Sequence, residues 1–151
     1  MTGSQYADLI ARYVLRNYGS RGITVYREVA LGKTIIGKDR RIDVLLIHET
    51  TARGFAVECK YQDSQGTVDE KIPYALQDME ALRTPGCVTY AGEGFSKGIL
   101  HVLEASHLAA YCLPDAADLA PSSTTWEFDH MLAMNFGLWD VLIAGKKVFG
   151  G

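Results

Sequence analysis

Two segments in the middle of the chain limit its fold more than any other feature. Arg41-Ile42-Asp43-Val44-Leu45-Leu46-Ile47 and Gly54-Phe55-Ala56-Val57-Glu58-Cys59-Lys60 are almost continuously apolar and too short for buried helices. The first reads as a strand covered on both faces and the second as the returning strand. The polar stretch His48 to Arg53 between them makes the pair an antiparallel hairpin. A hairpin with no wet face needs helices on both sides of its sheet, which predicts a layered α/β domain.

The flanking sequence supplies those layers. Gln5 to Tyr18 places Leu9, Ile10, Tyr13 and Val14 at helical spacing and stops at Gly19-Ser20-Arg21-Gly22. Ile23 to Leu31 is rich in β-branched and aromatic residues and reads as a strand, followed by a basic excursion from Lys33 to Arg40 between Gly32 and Gly37. Beyond a loop from Tyr61 to Gly66, Thr67 and Asp69 suit the start of a helix carrying Ile72, Leu76, Met79 and Leu82. Pro73 is tolerated there only in the first turn. Pro85-Gly86 ends that helix, Cys87 to Ala91 is a strand, and Ser96 to about Ala110 is a second helix. Leu113 to Thr125 is linker-like. The aromatic tail from Trp126 to Gly151 shows no clear period and is expected to complete the core or form a subunit interface. The predicted fold class is α/β, with an α-β-β-β-α-β core over about residues 5–110 of a single domain spanning 1–151, a mixed sheet flanked by helices, and a C-terminal extension from 126.

A length of 151 residues fits one domain, and 48% hydrophobic with 22% charged residues excludes a disordered chain. No apolar run approaches the ~18 residues of a membrane span, and Met1 to Ile10 lacks the basic-then-apolar order of a secretory signal. Cys59, Cys87 and Cys112 are scattered, with no CxxC pair, which argues against a disulfide framework or a zinc site and predicts a cytoplasmic location. A net charge of −3 gives no global attraction to nucleic acid, but Lys33, Lys38, Arg40 and Arg41 fall close together.

Three charged residues sit where a simple core has no use for them. In a hairpin centred between Thr50 and Thr51, residue numbers across the ladder sum to a constant, and Asp43 falls opposite Glu58. Directly opposed Cβ atoms lie about 4.5–5.5 Å apart. Two carboxylates that close repel unless a cation separates them, and the candidates are Lys60, on the same strand face as Glu58, or a hard divalent metal. Oxygen ligands at that separation suit Mg²⁺ or Mn²⁺, with the Cys59 carbonyl as a further ligand. Taken alone, Glu58-Cys59-Lys60 is also compatible with an ordinary strand-end salt bridge.

Asp43, a turn, and Glu58-Cys59-Lys60 on the next strand together resemble the PD-(D/E)xK nuclease superfamily, with Ile42 in place of the proline of the family's name. The predicted element order matches that family's core over about Gln5 to Gly92. Lys60-Tyr61-Gln62 followed by Gly66-Thr67-Val68-Asp69-Glu70-Lys71-Ile72-Pro73-Tyr74 is similar to a signature of one branch found among restriction-like and phage-encoded proteins. The resemblance implies that Asp43 and Glu58 bind metal, that Lys60 is the catalytic lysine, and that Gln62 helps hold the site. Many members carry a glutamate on the first helix; this helix offers the shorter Asp8, with Glu28 on the first strand as the alternative acid. The implied activity is Mg²⁺-dependent DNA endonucleolysis leaving 5′-phosphates, with Mn²⁺ able to substitute. Its substrate would be double-stranded or branched DNA, cut in a sequence-specific (restriction-like or homing) or structure-specific way. Cutting both strands implies a homodimer or higher oligomer.

Lys33, Lys38, Arg40 and Arg41, with Lys71 at the start of the second helix, are the candidate DNA-backbone contacts. Gly92-Glu93-Gly94 before a helix reads as a tight turn more readily than as a phosphate cradle, and the four histidines show no metal-binding spacing. The competing reading is a non-cleaving module with a nuclease-like fold that binds nucleic acid or protein.

Overall fold

In the computed structural model, which describes residues 1–150, helix α1 (Gly3–Tyr18) opens on a capping box. The Thr2 hydroxyl accepts from the Gln5 amide, and the Gln5 side chain accepts from the Thr2 amide. Tyr6, Ile10, Tyr13 and Val14 are fully buried along one face of α1. A short 3-10 turn (Gly19–Arg21) leads into β1 (Ile23–Lys33), β2 (Asp39–His48) and β3 (Arg53–Tyr61), an antiparallel meander. Helix α2 (Val68–Ala81) crosses to β4 (Gly86–Ala91), and α3 (Lys97–Ala105) to β5 (Ala109–Tyr111). Both of these strands run parallel to their neighbours, so the sheet order is β1-β2-β3-β4-β5 and the sheet is mixed.

Alternation along the strands separates two cores. Val57 and Cys59 of β3, Cys87 and Ala91 of β4 and Ala110 of β5 pack with α1. On the other face, Tyr90 and Ala109 pack with Ile72 and Leu103, and Val88 packs with Ala75 and Met79 of α2. Glu58 is paired with Val88 and Lys60 with Tyr90, so both charged side chains lie on the α2 face.

Two parts of the chain differ from the sequence expectation. The helix expected from Ser96 to about Ala110 ends at Ala105, and Ala109–Tyr111 becomes a fifth strand, because the free edge of β4 takes Ala109 opposite Val88 and Tyr111 opposite Tyr90. The tail beyond Thr125 forms α4 (Trp126–Phe136) and α5 (Trp139–Ile143). Phe128, Leu132 and Phe136 recur every four residues and enter the larger core beside α1. The stretch from Leu113 to Thr125 is closed by Leu113 N–H donating to the Thr124 carbonyl and fastened at its middle by the Asn17 amide donating to the Leu119 carbonyl. Among the described residues no helix is long and apolar enough to cross a membrane.

Candidate active site

The sheet is interrupted at Asp43. Pairing of β1 with β2 runs from Ile23↔His48 to Arg27↔Val44 and resumes at Val29↔Ile42, skipping Glu28 and Asp43. Pairing of β2 with β3 ends at Val44↔Val57, one position short of Asp43 and Glu58. Glu28 has a φ of 55°, a strained left-handed value for a residue inside a strand. Freed from the ladder, Asp43 accepts the Cys59 amide on its own carboxylate, Oδ2 to N, at 2.8 Å. A strand residue directs its N–H and C=O to the same side, so the Cys59 carbonyl also faces this gap. The Cys59 thiol points into the core, where burial raises its pKa and keeps it protonated.

Asp43 and Glu58 therefore meet at the end of the β2–β3 pairing. Burial, and then the adjacent Asp43 carboxylate, push the Glu58 carboxyl up to about 9; Lys60 pulls the other way. The Lys60 ammonium lies 3.9 Å from Glu58 Oε1, and both side chains are about one-fifth exposed. The two carboxyl groups and the Cys59 carbonyl offer only oxygen donors, and once Glu58 loses its proton the two carboxylates carry one negative charge more than Lys60 offsets. That set fits a hard divalent cation, which takes carboxylate and carbonyl oxygens. Among the described residues no three His, Cys, Asp or Glu side chains stand close enough to hold a metal ion.

The proton on Glu58 has a measurable consequence. Its folded-state pKa lies above the ordinary carboxylate value, so its stabilising contribution is complete at about pH 4.5 and is lost as pH rises towards 9. Glu58→Gln is expected to stabilise the metal-free protein at pH 8 by about 1–3 kcal/mol and to leave it unchanged near pH 4.5. Thermal melts of both proteins across that range test this, and equal melting temperatures at pH 8 would contradict it.

Gln62 is buried, and its side-chain amide is fully engaged by neighbouring loops. Nε2 donates to Asp69 Oδ1 at 2.9 Å and to the Gly94 carbonyl at 3.0 Å, while Oε1 accepts the Val68 amide at 2.9 Å. Gly92, with φ 101°, and Gly94 lie against the main chain of Gln62 and Ser64, where a Cβ would collide. The Gly94 amide donates to the Gln62 carbonyl and the Ser96 amide to Asp69, so this turn interlocks with the loop after β3 and with the start of α2.

The remaining candidates are scattered more widely. Asp8 is exposed and paired with Arg12 at 3.2 Å and Arg27 at 3.5 Å. Lys33, Lys38 and Arg41 are exposed on the β1–β2 hairpin, Lys33 pairing with Asp39, and Lys71 is exposed in the first turn of α2. Arg40 departs from the expected role: it is buried and forms a two-pronged pair with Asp78 of α2, Nε to Oδ2 at 3.0 Å and Nη2 to Oδ1 at 2.8 Å. Asp78 also accepts the Ile35 amide, so Arg40 anchors the hairpin to α2 and is not available to DNA. Nothing local in the sequence marks this pair, because its partners lie far apart along the chain.

This arrangement, a carboxylate pair with its lysine at a break in a mixed sheet, goes with the family that the chain matches. The PD-(D/E)XK nuclease superfamily domain model covers residues 2–139, and the chain belongs to that superfamily. Among solved structures, it is similar to a repair endonuclease from Pyrococcus abyssi, at 14% identity and a TM-score of 0.40, covering 68% of this chain and 44% of that one. It is also similar to AF1548, a protein of unknown function, at 14% identity and a TM-score of 0.41, covering 65% of this chain and 53% of the other. The chain thus spans about half the length of these structures. No curated protein matches.

Proposed function

We propose that this protein is a Mg²⁺-dependent DNA endonuclease that cuts at the Asp43–Glu58–Lys60 site and leaves 5′-phosphate ends. The observation that supports the reading is the pair of carboxyl groups at the interrupted ladder, close enough for Asp43 to raise the pKa of Glu58, with Lys60 beside them in a chain of the nuclease superfamily. Asp43, Glu58 and the Cys59 carbonyl would hold the cation. The bound cation supplies positive charge to the scissile phosphate and lowers the pKa of water. Lys60 orients the attacking water and stabilises charge developing on the phosphate oxygens. Asp43 is held ready by the Cys59 amide, and Gln62 fixes the loops that follow β3. Lys33, Lys38, Arg41 and Lys71 contact the DNA backbone, which gives affinity without base information. Cutting a duplex requires two such sites, so the working form is a homodimer or higher oligomer.

The test is cleavage of mixed plasmid and phage DNA with Mg²⁺, Mn²⁺ or EDTA, comparing wild type with Asp43→Ala and Glu58→Ala. Metal-dependent cutting that both variants abolish is the expected result. Duplex binding with no cutting under either metal would favour the non-cleaving module instead.

A further inference from the structure

The acid on the first helix is linked to Asp43 through an arginine. Arg27 of β1 donates from Nε to the main-chain carbonyl of Asp43 at 3.0 Å, and its Nη1 lies 3.5 Å from Asp8 Oδ1. Asp8 in turn holds Arg12 at 3.2 Å. The Asp43 carbonyl sits where β1–β2 pairing skips a position, beside the strained Glu28. A guanidinium therefore braces Asp43 where the ladder leaves it unpaired. The two ends of Asp43 are held from opposite sides, its carbonyl by Arg27 and its carboxylate Oδ2 by the Cys59 amide.

From this geometry we infer that Arg27 is a positioning residue for Asp43, and that Asp8 acts through Arg27 as a brace and is not a metal ligand. The inference rests on the proposed metal site. With both ends of Asp43 fixed, the orientation of its carboxylate is set by the protein alone. Arg27 is 28% exposed and opens onto a surface hollow of about 510 Å³ that Asp8 and Arg12 also line, so its loss leaves no buried cavity.

Residues that orient a metal-binding carboxylate typically contribute about 10–100-fold in metal affinity. Mn²⁺ affinity, followed by paramagnetic resonance of the free ion, reads this without needing the DNA target. Wild type is expected to bind, Asp43→Asn to lose binding, and Arg27→Ala to bind about 10–100-fold more weakly with a nearly unchanged melting temperature. Arg27→Gln, which keeps one donor, recovers part of the loss and covers the case in which Arg27→Ala misfolds. Asp8→Asn costs only a few-fold alone and nothing further in the Arg27→Ala background. Wild-type affinity in both folded Arg27 variants overturns the inference, as does complete loss of binding in Asp8→Asn, which would make Asp8 a ligand. Absence of binding by wild type itself would instead overturn the metal-site reading.

Discussion

Lys60→Ala is expected to fold normally and to lose at least about 10²–10³ of the cleavage rate, the usual effect of removing one charge stabiliser from a transition state. The fold survives because the Lys60 side chain is partly exposed and its one ion pair, to Glu58, is long at 3.9 Å. The same pair carries a second consequence. Lys60 lowers the pKa of Glu58, so removing it raises that pKa further and shifts metal binding to higher pH. Single-turnover cleavage at saturating Mg²⁺, across pH 6 to 9, separates the two effects. A rate defect that disappears entirely at high pH would mean that Lys60 serves only to discharge Glu58; unchanged cleavage at every pH would remove it from the mechanism.

The largest effect on stability is expected far from the site, at Asp129. This buried carboxylate of α4 accepts the Tyr13 hydroxyl at 2.7 and 2.8 Å, the Tyr18 hydroxyl at 2.7 Å and the Thr125 hydroxyl at 2.8 Å. Burial, with the neighbouring carboxylate adding to it, holds both phenols well above their ordinary pKa, so the donors stay protonated. Asp129→Ala leaves three hydroxyls inside the core without their common acceptor, at a cost of about 3–5 kcal/mol. Asp129→Asn keeps one carbonyl oxygen but turns an amide towards a donor, and should fall between, at about 1–3 kcal/mol. Urea unfolding gives both values, and a midpoint for Asp129→Ala within experimental error of wild type would show that α4 docks through Phe128, Leu132 and Phe136 alone.

Much of the sheet could be read from the chain because its strands announce themselves locally. The apolar runs around Val44 and Val57, and the polar turn between them, set the pairing that places Asp43 next to Glu58, and the observed Val44↔Val57 register agrees. Strand β5 was not legible. Ala109-Ala110-Tyr111 is short, weak in β propensity and preceded by Ile99, Leu100 and Leu103, whose helical spacing does not mark the end of α3 at Ser106. Helix α4 was hidden for another reason: it buries Asp129 and exposes Trp126 and Met134, so its polarity runs against its packing. Arg40 shows the limit most clearly. In sequence it is one of four neighbouring cations, and only the distant Asp78 distinguishes it from Lys38 and Arg41.

The interlock at Gly92 and Gly94 bears on how this protein can diverge. Because the turn after β4 and the loop after β3 share the same backbone space, a side chain entering one must displace the other. Neither loop is free to lengthen or to trade residues with a relative on its own. The hairpin between β1 and β2 carries no such constraint: beyond Asp78, its tip from Ile35 to Lys38 is exposed. Substitutions therefore have room at that tip, while a change beneath the carboxylates must be matched in both loops at once.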